Sequence, residues 1–179
     1  MPDSLFADFE PKNRGVDAEI DVRPLQAEDI EQCAELAVHR NGHDIGIWRG
    51  SFERTLTRED RQTFVALKNG RVIGYASITW MDPVADGGAN APEGWYLTGV
   101  VVDSHLRRRG VGRRLTEARL EWLSGRTDRA WYFAAAVNRS SLDLHTALGF
   151  REVTRDFSIP GVSFSGGEGI LSVNDALKA

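Results

Sequence analysis

Arg107, Arg108, Arg109, Gly110, Gly112, Arg113 and Arg114 crowd five guanidinium groups and two glycines into one short stretch. Guanidinium forks bind phosphate oxygens two at a time, and a phosphate or pyrophosphate is the anion they match best. Glycine lets the backbone approach such a ligand closely, and the free N–H groups at a helix start supply further donors. Two familiar phosphate motifs are excluded. No Gly-Lys-Ser/Thr is present, and Leu115 stands where a dinucleotide fingerprint needs its third glycine. A solvated basic turn at a helix start fits the same residues, and spacing alone does not choose between the two.

Such a turn needs a strand before it and a helix after it, and both are legible. Residues 95–102 (WYLTGVVV) form a nearly continuous apolar run suited to a strand buried on both faces. Val111, Leu115, Ala118, Trp122 and Leu123 mark a helix that ends near Gly125. Upstream, residues 19–25 alternate as a short strand. Ile30, Cys33, Ala34, Ala37 and Val38 then recur at helical spacing, with Cys33 as a small core residue. Ser51 is expected to cap a second helix running to Asp60. Asn69-Gly70 between the β-rich runs 63–67 and 72–80 is a strong hairpin signal. Residues 82–94 are rich in turn formers and read as a loop, of a length that is often functional. Downstream lie a buried strand over 130–137, a helix capped by Asn138, a Gly149-Phe150 helix end, and strands around 151–158 and 170–173. The order is β-α-α-β-β-β-α-β-α-β-β, one mixed α/β domain over residues 19–179, with residues 1–18 as a loose, flexible N-terminal arm.

Composition narrows the function classes. The chain has 179 residues, enough for one domain at roughly 150 residues each. Hydrophobic residues at 41% and charged residues at 27% exclude a disordered chain. The net charge of -4 gives no overall pull toward nucleic acid. Of the basic residues, 19 are Arg and only three are Lys (Lys12, Lys68, Lys178). Six of those arginines fall between Arg107 and Arg119, which reads as one concentrated anion site on an acidic protein. The single cysteine excludes a disulfide framework. His39, His43, His105 and His145 lack the Cys/His pattern of a zinc site, so no metal is expected. The opening residues lack a signal-peptide core, and no apolar run is long enough to span a membrane. These features predict a soluble cytoplasmic protein.

The strand over 95–102, the Arg107-x-x-Gly110-x-Gly112 turn and the helix after it resemble the acetyl-CoA-binding motif of the GNAT superfamily of N-acetyltransferases. Asn138-x-x-Ser141-x-x-Leu144-His145-x-x-Leu148-Gly149-Phe150 resembles that superfamily's later motif, in which the usual pattern is Asn-x-x-Ala-x-x-Leu-Tyr-x-x-x-Gly-Phe. One helix and one strand separate the two, as the family has it. The resemblance implies a GNAT-like α/β (α+β) fold. Its sheet is mixed, mostly antiparallel and twisted, with about seven strands flanked by about four helices and a splay at the acetyl-CoA strand.

What the resemblance implies for individual residues follows position by position. Val100, Val101 and Val102 lie on the strand whose backbone pairs with the pantetheine arm. Arg107, Arg108, Arg109, Gly110, Val111, Gly112 and Arg113 match the loop that holds the pyrophosphate. Asn138 matches a residue that bonds the cofactor arm, and a plain helix N-cap is equally compatible with it. The reaction implied is direct attack of an amine on the acetyl thioester through a tetrahedral species. It requires a proton acceptor, an oxyanion donor and a proton for the leaving thiolate. A backbone N–H of residues 100–102 is the implied oxyanion donor.

Two departures stand out. His145 replaces the family's proton-donating Tyr, and histidine can serve as that acid near neutral pH; a partly buried histidine without acid work is the other reading. Phe133 stands where the branch that acetylates ribosomal-protein N-termini often has a Glu base. Glu168, within Gly166-Gly167-Glu168-Gly169, is a candidate base, as are Asp82, Asp86 and Glu93, and each also reads as a solvated loop carboxylate. A water chain would serve as well. His43 with Asp44 is placed to touch the acceptor, and Trp48, Trp80, Trp95 and Tyr96 read as an aromatic wall or as core.

The implied activity is acetyl-CoA-dependent acetylation of a primary amine, without a metal. The loop carboxylates suit a cationic small molecule of aminoglycoside, polyamine or amino-sugar type; a protein α-amine or lysine is the alternative. A non-catalytic acyl-CoA sensor is the alternative of another class. Nucleic-acid binding fails, because the basic run is short and no reading helix accompanies it. No membrane partner is implied, and a homodimer remains open.

Overall fold

The computed structural model describes residues 19–87 and 89–177. The arm expected over residues 1–18 lies outside the described residues.

Alternating and continuous apolar runs become strands where the sequence places them. These are β1 (Ile20–Pro24), β2 (Arg61–Lys68), β3 (Arg71–Met81), β4 (Gly94–Val102), β5 (Ala130–Ala135), β6 (Arg151–Thr154) and β7 (Gly169–Asn174). The seven strands form one sheet in the order β1-β2-β3-β4-β5-β7-β6. Pairing is antiparallel for β1 with β2, β5 with β7 and β6 with β7, and parallel for β4 with β5. The helices are α1 (Ile30–Asn41), α2 (Ile45–Thr57), α3 (Pro83–Gly87), α4 (Val111–Ser124) and α5 (Arg139–Ala147). This is the mixed α/β sheet with flanking helices that the resemblance implies.

Between β2 and β3, Asn69 and Gly70 both take positive φ, 51° and 73°. That is the geometry of a two-residue type I′ turn, whose twist matches the strands it joins.

Three local expectations are corrected. The second helix starts at Ile45, not after Ser51, because Asp44 holds extended dihedrals and its Oδ1 accepts from the Gly46 N–H at 2.7 Å. Ser51 therefore lies inside α2. The loop over 82–94 contains the short α3, started by Pro83 and capped by Asp82, whose Oδ1 accepts from the Ala85 N–H at 3.1 Å. The strand over 95–102 is not buried throughout, since Gly99 and Val100 are exposed.

The described residues gather into two compact units, and β3 and β4 contribute to both. The first comprises residues 19–78 and Thr98–Arg119. Its core joins Cys33, Ala34 and Ala37 of α1 and Phe52 of α2 to Val65, Val72, Tyr75 and Val101 on the strands. The second comprises Thr79–Leu97 and residues 120–177. Its core is Ala91, Tyr96, Trp131, Ile159, Leu171 and Val173.

Candidate active site

In the first unit, β4 changes character at one residue. Its ladder with β5 covers Tyr96↔Trp131 and Leu97↔Tyr132. Gly99 then adopts φ +50°, and a Cβ added there would meet nothing within 4 Å. Conformation, not space, demands the glycine. Val100 follows at 37% exposure, while Val101 turns back into the core. The strand is thus exposed at Gly99 and Val100.

Gly74 on β3 lets the end of β4 lie close. A Cβ at Gly74 would come within 2.8 Å of the Val101 carbonyl oxygen and 3.3 Å of Val111 Cγ1. Asp103 then donates its N–H to the Ile73 carbonyl at 2.9 Å and accepts from the His105 N–H at 3.0 Å, folding one 3-10 turn over Ser104–Leu106. The arginine turn comes next. Arg107 is extended, Arg108 takes φ 64° and Gly110 φ 80° before α4 begins at Val111. A non-glycine residue in the left-handed region costs about 1–3 kcal/mol, and such strain concentrates at functional sites.

The arginine cluster divides into two groups. Arg107 and Arg108 are half-buried and Arg109 is exposed, all in the turn itself. The other three lie within α4. Arg113 pairs with Glu117 one turn on, at 2.8 Å. Arg114 donates to the Ile20 carbonyl of β1. Arg119 is fully buried. The reading of all six as one anion site is therefore corrected: Arg119 is buried and Arg114 bonds β1, while Arg107, Arg108, Arg109 and Arg113 stay in or beside the turn.

In the second unit, Asn138 Oδ1 accepts from the Ser141 N–H at 3.3 Å, so the N-cap role is real. His145, on α5, is 2% exposed. Its ring stacks on Tyr132 with centroids 3.6 Å apart and planes 7° off parallel, and Phe150 meets it edge-on at 5.4 Å. His145 Nδ1 lies 2.8 Å from the Ser141 carbonyl. A carbonyl only accepts, so Nδ1 carries the hydrogen and Nε2 is the nitrogen with a lone pair in the neutral ring. The Tyr132 hydroxyl bonds Ser141 Oγ at 2.6 Å, which fixes the stack from its other side.

The other candidates are placed as follows. Glu168 is half-exposed and accepts from Arg155 at 2.8 Å, and Arg155 also holds Glu152 at 2.8 Å. Asp82 is engaged as the α3 cap, while Asp86 and Glu93 are exposed. Phe133 packs against Tyr96 and Phe164 at ring distances of 6.0 and 6.1 Å. Tyr96 is fully buried and donates its hydroxyl to the Pro92 carbonyl at 2.5 Å, so it is core. Trp80, Trp95 and Trp122 form an edge-to-face series with successive spacings of 5.7 and 5.3 Å, Trp80 being 44% exposed. Trp122 enters this series without having been singled out in the sequence as part of an aromatic wall. His43 takes φ 68° and its ring lies 6.3 Å from that of Trp48, whose Nε1 donates to the Gly42 carbonyl.

His39 and His43 stand four apart, a spacing that on one helix would align two imidazoles. However, α1 ends at Asn41 and Gly42 turns to φ 72° between them. Among the described residues, no group of three His, Cys, Asp or Glu side chains is arranged to hold a metal ion, and no helix is long and apolar enough to cross a membrane.

Residues 26–150 match the model of the Acetyltransferase (GNAT) family, a span that contains both motifs. The chain belongs to that family. It is an N-acetyltransferase. Over 149 residues it is 26% identical to the N-alpha-acetyltransferase RimI of Mycobacterium tuberculosis strain H37Rv, covering 83% of this chain and 84% of that one. Among solved structures, the ribosomal-protein-S18-alanine N-acetyltransferase from Escherichia coli superimposes with a TM-score of 0.66 at 20% identity, over 89% of this chain and 96% of that one. An aminoglycoside 6'-acetyltransferase type Ii gives a TM-score of 0.68 at 14% identity, over 89% and 99%. The structural likenesses establish the GNAT fold. Enzymes of this family use acetyl-CoA and acylate amine acceptors, and these relatives span both protein and small-molecule acceptors.

Proposed function

We propose that this GNAT enzyme transfers the acetyl group of acetyl-CoA to a primary amine. The observation that carries the reading is the exposed stretch of β4 at Gly99 and Val100 on the same unit as the Arg107–Arg109 turn at the start of α4. The fit to the donor is chemical. Outward-facing peptide groups suit an amide-bearing arm, and guanidiniums with helix N–H groups suit a pyrophosphate. Val100, Val101 and Val102 contribute the strand, and Arg107, Arg108, Arg109, Gly110, Val111, Gly112 and Arg113 contribute the turn. The donor supplies an activated acyl group when bound. The oxyanion donor in this reading is an N–H on the exposed part of β4. Asn138 takes the family role of arm contact, His145, in the form that carries a proton on Nε2 as well as on Nδ1, that of thiolate proton donor, and Glu168 that of proton acceptor.

The acceptor we propose is a cationic small amine, supported by the net charge of -4 and the exposed Asp86 and Glu93. A second reading, the α-amine of a protein, is favoured by the likeness to the mycobacterial RimI. A thiol-release assay over a panel of aminoglycosides, polyamines, amino-sugars and short peptides with free N-termini decides between them. Binding of the donor is read separately by thermal melting. At a hundredfold excess over Kd, binding adds about 2.7 kcal/mol, or roughly 5–10 °C for a chain of this size. If acetyl-CoA produces no melting shift, the reading fails. If it does but no amine raises turnover, the acceptor classes fail.

A further inference from the structure

Arg119 occupies a place on α4 where the helical repeat calls for an apolar residue, one turn after Leu115 and one turn before Leu123, both fully buried. It is itself fully buried. Its Nη1 donates to the Ser77 carbonyl of β3 at 3.2 Å and to the Thr98 carbonyl of β4 at 3.3 Å. Its Nη2 donates to Thr116 Oγ1 at 2.8 Å. Thr116, equally buried, donates its hydroxyl onward to the Gly112 carbonyl at 2.8 Å.

These bonds form one buried chain from Thr98 through Arg119 and Thr116 to Gly112. Its two ends are telling. Thr98 shares a peptide unit with Gly99, where β4 becomes exposed, and Gly112 lies in the first turn of α4, two residues past Gly110. A methionine or leucine would fill the same space without the cost of desolvating a guanidinium, so packing does not account for the charge.

We infer that Arg119, linked through Thr116, is a positioning residue that holds the exposed part of β4 in register with the first turn of α4, which follows directly on the arginine turn. The guanidinium fixes the plane of the Thr98–Gly99 peptide. A carbonyl that accepts from a cation also polarises its own peptide, so the Gly99 N–H becomes a stronger donor. The inference rests on the reading of these two pieces as the acetyl-CoA site.

The test uses Arg119→Met, Arg119→Lys and Thr116→Val in the full chain, all measured well below their melting temperatures. Amide hydrogen exchange without ligand should speed up about tenfold at residues 99–102 in Arg119→Met and Thr116→Val, the loss of one good hydrogen bond, with α1 and β2 unchanged. In steady state, kcat/KM for acetyl-CoA should fall about tenfold or more, and Arg119→Lys should recover part of it. The double variant should be no worse than Arg119→Met alone, because both changes cut one chain. Variants that melt earlier yet exchange and turn over like the parent protein would reduce Arg119 to a structural residue and overturn the inference. If Arg119→Met does not fold, Thr116→Val, nearly isosteric and with the guanidinium retained, decides alone. Should the parent protein not bind acetyl-CoA, the functional reading falls, whereas the exchange comparison still decides whether Arg119 couples the two pieces.

Discussion

Replacing His145 separates two roles that the structure superimposes on one ring. The imidazole is buried, stacked on Tyr132 at 3.6 Å and bonded to the Ser141 carbonyl at 2.8 Å. Truncation to alanine removes the ring, the stack and the bond together. Losing a buried aromatic ring costs about 3–5 kcal/mol, so the melting temperature should drop by roughly 6–20 °C at about 2–4 °C per kcal/mol. His145→Phe keeps a ring against Tyr132 and loses only the Nδ1 bond, worth about 1 kcal/mol; the larger ring adds about 1 kcal/mol of overpacking. Its melting temperature should therefore fall by roughly 4–8 °C. Catalysis follows a different logic. Phenylalanine has no proton to give, so if His145 is the acid, His145→Phe should lose about 100-fold or more in kcat, with KM for acetyl-CoA nearly unchanged. The assay is thiol release at 20 °C with the best amine from the acceptor panel, alongside a melting curve. A folded His145→Phe whose kcat stays within threefold of the parent would refute the acid role. One that melts as low as His145→Ala would refute the energetic reading of the stack.

Two further outcomes are expected. Gly74→Ala places a Cβ 2.8 Å from the Val101 oxygen, a backbone atom that cannot step aside alone; overpacking of this kind costs about 1–3 kcal/mol, and it should weaken acetyl-CoA binding by calorimetry as well as lower the melting temperature. Burial pushes the Cys33 thiol up to about 12 from an ordinary value of 9.0, so a thiol reagent at pH 8 should modify it only in denaturant. The same shift predicts stability that is intact below about pH 9 and is lost as the pH rises toward 12, because the unfolded thiol ionises first; denaturant midpoints across that range check the sign.

The elements that position the site were legible where two signals agreed. Asn69-Gly70 between β-rich runs could close only one kind of turn, and Asn138 served as a cap whatever else it did. Errors arose where one signal was taken without its rival. Ser51 and Asp44 are both N-cap types, but Ile45 and Trp48 already start, ahead of Ser51, a helical repeat that Phe52 continues, and the core uses all three. The apolar character of the run WYLTGVVV predicts burial throughout, while the lone glycine inside it is the better guide. An isolated glycine in a strand signals a bulge or a close backbone approach, and Gly99 supplies the outward turn that the site reading depends on. The acceptor was not legible at all, because loop carboxylates take their meaning from what they touch. Asp82 caps α3 and Glu168 holds Arg155, and neither fact follows from spacing.

The arginines make the same point about charge. Linear proximity merges six of them into one anion site, yet they do four different things, Arg114 among them donating to the Ile20 carbonyl of β1. Those before Val111 lie in a turn whose backbone is left-handed at Arg108 and Gly110. Arg113 finds Glu117 four residues on, a surface pair of small value. Arg119 lies four residues from both Leu115 and Leu123, on the buried row. Applying the helical period to charges as strictly as to apolar residues would have separated these roles from sequence alone. A charge on the apolar row is costly to bury, and its position two turns into α4 leaves only the neighbouring backbone and small hydroxyls to receive it. That is why the buried arginine, rather than those of the turn, ties the strand to the helix.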